Sequence, residues 1–83
     1  MASVRWSAAA LANLHKLDPV IAERVVEKVT WLKENLEHLA HEKLHRELRS
    51  LYKLRVGNYR AIYTVSNGLI SIEDVGHRRD VYK

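Results

Sequence analysis

The chain has 83 residues, a formal net charge of +4 and no cysteine. A chain this short forms one domain, residues 1–83, burying about 60–65% of its unfolded surface with no room for a second core. It has no disulfide framework and no thiolate chemistry, and its apolar runs are too short to span a membrane, so a cytoplasmic, soluble protein is expected. The basic excess favours polyanionic partners, and it is uneven. Residues 1–51 carry 8 Lys and Arg against 7 Asp and Glu, whereas residues 52–83 carry 6 against 3.

Val4 and Trp6 flank Arg5 in a short alternating start, which predicts a first strand. Ser7 can cap a helix over Ala8 to Lys16, with Leu11, Leu14 and Leu17 at helical spacing. Asp18-Pro19 marks a second helix start, an N-cap acid followed by proline at the first helical position. From there Ile21, Val25, Val29, Leu32 and Leu36 form one apolar stripe, with Glu23, Glu27 and Lys28 off it. The two helices should form a hairpin over one side of a sheet. The second is expected to end near Asn35 to Glu37. From Glu37 to Ser50 the leucines fit either a continued helix or an irregular connection, and mostly loop is expected.

From Leu51 to Tyr63 the sequence reads LYKLRVGNYRAIY. Tyr52, Leu54 and Val56 alternate with Lys53 and Arg55, the period of a half-buried strand. Gly57-Asn58 is a two-residue hairpin signal. Counting across it pairs Val56 with Tyr59, Arg55 with Arg60, Leu54 with Ala61, Lys53 with Ile62 and Tyr52 with Tyr63. The apolar pairs fall on one face. Arg55 and Arg60 fall opposite each other on the other face, beside Lys53, with Cβ atoms about 4.5–5.5 Å apart, where like charges destabilise a sheet. No acidic residue occurs from Leu48 to Ile72, so the local sequence supplies no neutralising partner. Two readings stay open: the counter-ion is a ligand, with phosphate the natural choice, or the cations are a solvated face that protects a sheet edge.

Asn67-Gly68 predicts a second hairpin. A two-residue turn there pairs Val65 with Ile70, Tyr63 with Ile72 and Arg60 with Val75, so the tail from Gly76 to Lys83 begins beside the Arg55/Arg60 pair. The fold expected is α+β: a small twisted antiparallel β-sheet, an N-terminal helical hairpin packed on one face and the basic face open.

His41-Glu42-Lys43-Leu44-His45 matches the H-E-x-x-H zinc-protease pattern. The pattern needs a helix to bring both imidazoles together, and a third ligand is lacking. These histidines are read as solvated, and neither a metal nor a cofactor is expected. Lys53, Arg55 and Arg60 on the strands, with His77, Arg78, Arg79 and Tyr82 on the tail, instead suit cleavage of an RNA phosphodiester. There the ribose 2′-hydroxyl is the nucleophile. The enzyme must place it, take its proton, hold the charge on phosphate and protonate the leaving 5′-oxygen. Arginine forks fit phosphate oxygens but are poor bases, whereas lysine can be a base when cations stand beside it, as they do beside Lys53. An RNA-binding surface without catalysis needs the same cations, so residue types alone do not make an enzyme.

LYKLRVGNYRAIY followed by VGHRRDVYK resembles the RelE/ParE toxin superfamily, and specifically its RelE branch, over nearly the whole chain. The resemblance implies a ribosome-dependent endoribonuclease that cuts mRNA in the A site without a metal, giving a 2′,3′-cyclic phosphate and a 5′-hydroxyl. It implies a cognate RelB-like antitoxin, the ribosome and mRNA as partners, and the potential for a higher-order toxin–antitoxin complex. Residue by residue, Lys53 matches the family's general base and Arg60 the phosphate-binding arginine of the GxYR turn. Arg55 stands where some members have a second lysine, and shares the phosphate. Arg78 matches the arginine that assists the leaving group, and Tyr82 the tyrosine that stacks on or positions the substrate, although this tail is shorter than in some members. His77, Arg79 and Arg49 are the remaining candidate substrate contacts; related toxins use a histidine as acid, and the other reading of His77 is a structural histidine at a strand end. ParE-type members inhibit DNA gyrase on the same scaffold, and a non-catalytic toxin-fold binding protein is the third alternative.

Overall fold

The computed structural model describes residues 2–38, residues 51–80, and the backbone of 42–43 and 81. In chain order these form β1 (Ser3–Trp6), α1 (Ala8–Lys16), α2 (Pro19–Asn35), β2 (Glu42–Lys43), β3 (Tyr52–Val56), β4 (Tyr59–Ser66), β5 (Leu69–His77) and a one-turn helix α3 (Arg78–Val81). A 3-10 turn, Leu36–His38, closes α2. The sheet order is β1-β5-β4-β3-β2. Its β2–β5 strands are antiparallel, while β1 runs parallel to β5. Among the described residues no helix is long and apolar enough to cross a membrane.

The helix starts are set by the residues that the sequence marks. Ser7 Oγ accepts from Ala10 N–H at 2.9 Å, and Asp18 Oδ1 accepts from Val20 N–H at 3.0 Å with Pro19 behind it. These side chains satisfy N–H groups that have no partner in the helix itself. The stripe on α2 is buried at Val25, Val29 and Leu32, with Ile21 and Leu36 packed at its ends. It meets Leu54, Ala61, Tyr63, Ile70, Ile72 and Val75 from the sheet and Ala10 from α1. The α+β class with helices on one face of a small sheet is therefore as expected.

Three features differ from the expectation. Within the stretch expected to be mostly loop, Glu42–Lys43 forms a short strand paired with β3, placing Glu42 opposite Lys53, while residues 39–41 and 44–50 lie outside the described residues. A two-residue strand is too short to show a period in sequence. The sheet is mixed rather than wholly antiparallel, because β1 pairs with β5 in parallel, a pairing between chain ends that no local pattern marks. Finally, Arg60 pairs with Gly76 rather than Val75. The register shifts beside Ile62/Tyr63, where Ile62 pairs with Asp74 and Tyr63 with Ile72, leaving Glu73 as the extra residue of a bulge.

The bulge has a physical cause. Ile72 and Val75 are three apart, so a regular strand would send them to opposite faces. The extra residue lets both reach the core, where they are 0% and 2% exposed. α1 fixes it in place. Ser7 Oγ donates to Glu73 O at 2.9 Å, Ser7 N–H donates to Ile72 O at 2.9 Å, and Asn13 Nδ2 donates to Asp74 Oδ1 at 2.7 Å.

Candidate functional site

The β3–β4 hairpin has the register expected, from Tyr52 opposite Tyr63 to Val56 opposite Tyr59. Gly57 at φ +60° leads the turn, the backbone of a II′ hairpin, while Asn67 and Gly68 are both at positive φ, as a I′ turn requires. With the bulge included, Arg55, Arg60 and Gly76 form one row across three strands. The row therefore places two guanidinium side chains next to a residue that has none. Lys53 lies two residues along on the same face, opposite Ile62.

This face is less open than expected. Arg60, Ile62 and Ser71 on it are only 8%, 5% and 8% exposed, while Arg55 is exposed and Lys53 half-buried. Arg60 turns back onto the hairpin. Its Nη1 donates to Gly57 O at 3.1 Å and to Tyr59 O at 3.0 Å. These carbonyl dipoles offset part of its charge, which explains how it stands opposite Arg55. Its buried Nε–H has no acceptor among the described residues. Lys53 and Arg55 each interact with other groups of the protein, and β2 sets Glu42 opposite Lys53. The expectation of a cluster with no neutralising neighbour is corrected accordingly: Lys53 and Arg55 each have partners within the protein, although their own hairpin holds no acid.

The C-terminal segment is tied to this turn. Arg78 N–H donates to Asn58 O at 2.8 Å, so α3 starts against the Gly57-Asn58 turn with Arg78 and Arg79 exposed. His77 goes the other way. It pairs with Tyr59 on the helix-side face, ring edge against ring at 5.3 Å and 80°. There it borders a cavity of about 350 Å³ with Asn13, Lys16, Tyr59, Asp74 and Asp80. The structure thus brings Lys53, Arg55 and Arg60 together, tethers Arg78 and Arg79 beside their turn, and does not bring His77 onto that face. Arg49, Tyr82, His41 and His45 lie outside the described residues. Among the described residues no group of three or more His, Cys, Asp or Glu gathers as a metal site would require.

The tyrosines of the hairpin serve the core. Tyr52 and Tyr63 are tilted ring against ring at 5.6 Å, and burial, followed by the neighbouring Tyr52, pushes the Tyr63 hydroxyl up to about 12. Tyr63 stays protonated through the neutral range. What the sequence did not reveal is the Asn58 carbonyl as a tether for α3. The only trace of it is the same odd spacing of Ile72 and Val75 that marks the bulge, since counting through the bulge carries His77 to Tyr59 and Arg78 to the turn.

Residues 4–82 match the family model described as the ParE toxin of the type II toxin–antitoxin system parDE. Toxin RelG of Mycobacterium tuberculosis is 32% identical over 83 residues, covering 98% of this chain and 95% of the relative. The chain belongs to the RelE/ParE toxin superfamily of type II toxin–antitoxin systems. Its backbone is similar to the toxin–antitoxin complex RelBE2 from M. tuberculosis, at a TM-score of 0.80 and 32% identity over 93% of this chain and 98% of that one. The isolated E. coli RelE toxin, at a TM-score of 0.77 and 24% identity over 99% of this chain and 92% of that one, shares the fold.

Proposed function

We propose that this superfamily member is a RelE-type toxin, a cytoplasmic endoribonuclease that cuts mRNA in the ribosomal A site. The observation that carries the reading is the convergence of Lys53, Arg55 and Arg60 on one face, with Arg78 held against the same turn by its backbone. A gyrase inhibitor has no need of that phosphate site. In the proposed reaction Lys53 takes the proton of the ribose 2′-hydroxyl as its oxygen bonds to phosphorus. Arg55 and Arg60 hold the non-bridging oxygens, and the leftover Nε–H of Arg60 is a donor that such an oxygen would satisfy. The bond from phosphorus to the 5′-oxygen breaks, that oxygen gains a proton with Arg78 assisting, and a 2′,3′-cyclic phosphate and a 5′-hydroxyl result. Every proton here moves between RNA, protein and water, so the scheme calls for no metal. Tyr82 is assigned to the substrate by family resemblance, and Arg79 and Arg49 as further cations for the RNA backbone.

A cognate RelB-like antitoxin is the proposed partner, supported by the RelBE2 complex of the M. tuberculosis relative. Primer extension on mRNA after induction tests the function. Codon-phased breaks are expected, and growth arrest with intact mRNA overturns the reading. The ParE description of the matched family favours one competitor, inhibition of DNA gyrase. A supercoiling assay with purified gyrase should show no inhibition.

A further inference from the structure

The one-turn helix α3 carries Arg78 and Arg79, and something must hold so short a helix at a fixed angle. An isolated turn of helix is far below the length at which helices persist alone. Its first two N–H groups have no acceptor within the helix. Arg78 N–H is taken by Asn58 O at 2.8 Å, and Arg79 N–H by Nδ1 of His77 at 3.2 Å. His77 directly precedes the helix and accepts from its second residue, the position and bond of an N-cap. That place is usually filled by Asn, Asp, Ser or Thr, and here an imidazole fills it. The bond also fixes the ring chemistry. Nδ1 must carry its lone pair, so the proton of the neutral ring sits on Nε2, and an imidazolium would have no acceptor left. The Tyr59 ring, on the next strand and nearly perpendicular to the imidazole, holds it in that orientation.

We infer that His77 is a positioning residue for the tail: its neutral imidazole caps α3 from the helix-side face and so sets where Arg78 stands relative to the Arg55/Arg60 row. This rests on the proposed ribonuclease reading for its effect on rate, but not for the cap itself. His77 faces Asn13 and Lys16 of α1, Tyr59 of β4, Asp74 of β5 and Asp80 of α3, on the side away from Arg55. It therefore acts on the reaction through Arg78, without touching RNA.

The test compares His77→Ala with His77→Asn, whose side-chain oxygen can replace Nδ1 as acceptor but cannot exchange protons as an imidazole does. Two readouts need no ribosome. Imidazole nitrogen NMR of the wild type should show Nδ1 unprotonated and Nε2–H in the neutral ring. Amide exchange at Arg79 should be about fivefold faster in His77→Ala and near wild type in His77→Asn, from the usual worth of an N-cap. With programmed ribosomes, His77→Ala should lower kcat about five- to tenfold with little change in KM, because Arg55 and Arg60 still bind phosphate, and His77→Asn should regain most of that loss. Melting curves accompany both variants. If His77→Asn protects Arg79 yet cuts as poorly as His77→Ala, the imidazole takes part in proton transfer and the positioning role is wrong. Unchanged Arg79 exchange in His77→Ala also overturns it. If the wild type does not cut mRNA at all, the ribonuclease reading fails while the exchange data still decide the cap.

Discussion

Replacing Arg78 by alanine separates positioning from chemistry. The side chain is exposed, and the bond that ties the residue to the turn, Arg78 N–H to Asn58 O at 2.8 Å, comes from the backbone and survives the change. Alanine also favours a helix at least as well as arginine, so α3 keeps its first residue. Changes at exposed positions away from structural features alter stability by no more than about 0.5 kcal/mol, or about 2–4 °C in Tm for a domain of this size. The catalytic cost is of another order. Removing one donor aimed at developing charge costs about 2.7–4 kcal/mol of transition-state stabilisation, a factor of about 10²–10³ in kcat. The assay is single-turnover cleavage on programmed ribosomes, with a melting curve and an antitoxin-binding measurement on the same preparation. Arg78→Ala should fold, bind its antitoxin and cut at least about a hundredfold more slowly. A variant that cuts like wild type, or that fails only because it has unfolded, refutes the placing of Arg78 in the active site.

Arg60→Ala should destabilise by about 2 kcal/mol, since a buried guanidinium bonded to Gly57 O and Tyr59 O is removed, whereas Arg55→Ala, which removes an exposed side chain and its surface interaction, should cost no more than about 1 kcal/mol. Denaturant titration checks this, and an Arg60→Ala protein more stable than wild type would mean that repulsion from Arg55 dominates. Gly57→Ala meets no atom within 4 Å, so its cost of about 1–2 kcal/mol should come from the positive φ alone, as a thermal melt of the variant checks. The Tyr63 hydroxyl, raised to about 12 in the fold against about 10 when unfolded, holds its proton longer in the native state. Its contribution is therefore complete below pH 10 and is lost as pH rises through 12. The loss is at most about 2.7 kcal/mol, and about half that once solvent screening is allowed for. Urea titrations at pH 9 and 11.5 should show the loss in wild type and a shallower one in Tyr63→Phe.

Much of the hairpin was legible because short-range rules determine it. Gly57-Asn58 and Asn67-Gly68 each permit one turn length, and alternating apolar residues then permit one register, so five β3–β4 pairs follow by counting. The helices were legible for the same reason: Ser7, Asp18 and Pro19 mark their starts and a single stripe marks the buried face. What counting misses depends on contacts between distant residues. β2 is two residues long and is a strand only because β3 offers an edge. The parallel pairing of β1 with β5 joins residues more than sixty positions apart. The conformation of Arg60 depends on carbonyls that a period-2 pattern does not describe, so a residue expected in solvent is instead buried.

The bulge joins these two kinds of information and shapes the candidate site. Ile72 and Val75 both require the core, and their spacing forbids it in a regular strand, so the conflict is visible in the sequence. Its resolution is not, because it needs Ser7 and Asn13 of α1 to bind Glu73 O and Asp74 Oδ1. Once Glu73 is extruded, every later residue of β5 moves by one against β4. Gly76 then faces Arg60 in place of Val75, His77 faces Tyr59, and Arg78 arrives at Asn58. Without that one-residue shift, Val75 would stand in the arginine row and His77 would turn toward the basic face. The polar contacts of Ser7 and Asn13 therefore set where Arg78 meets the Asn58 turn. A substitution at Ser7 that leaves the core intact should be felt at Arg78, as faster exchange of its amide proton.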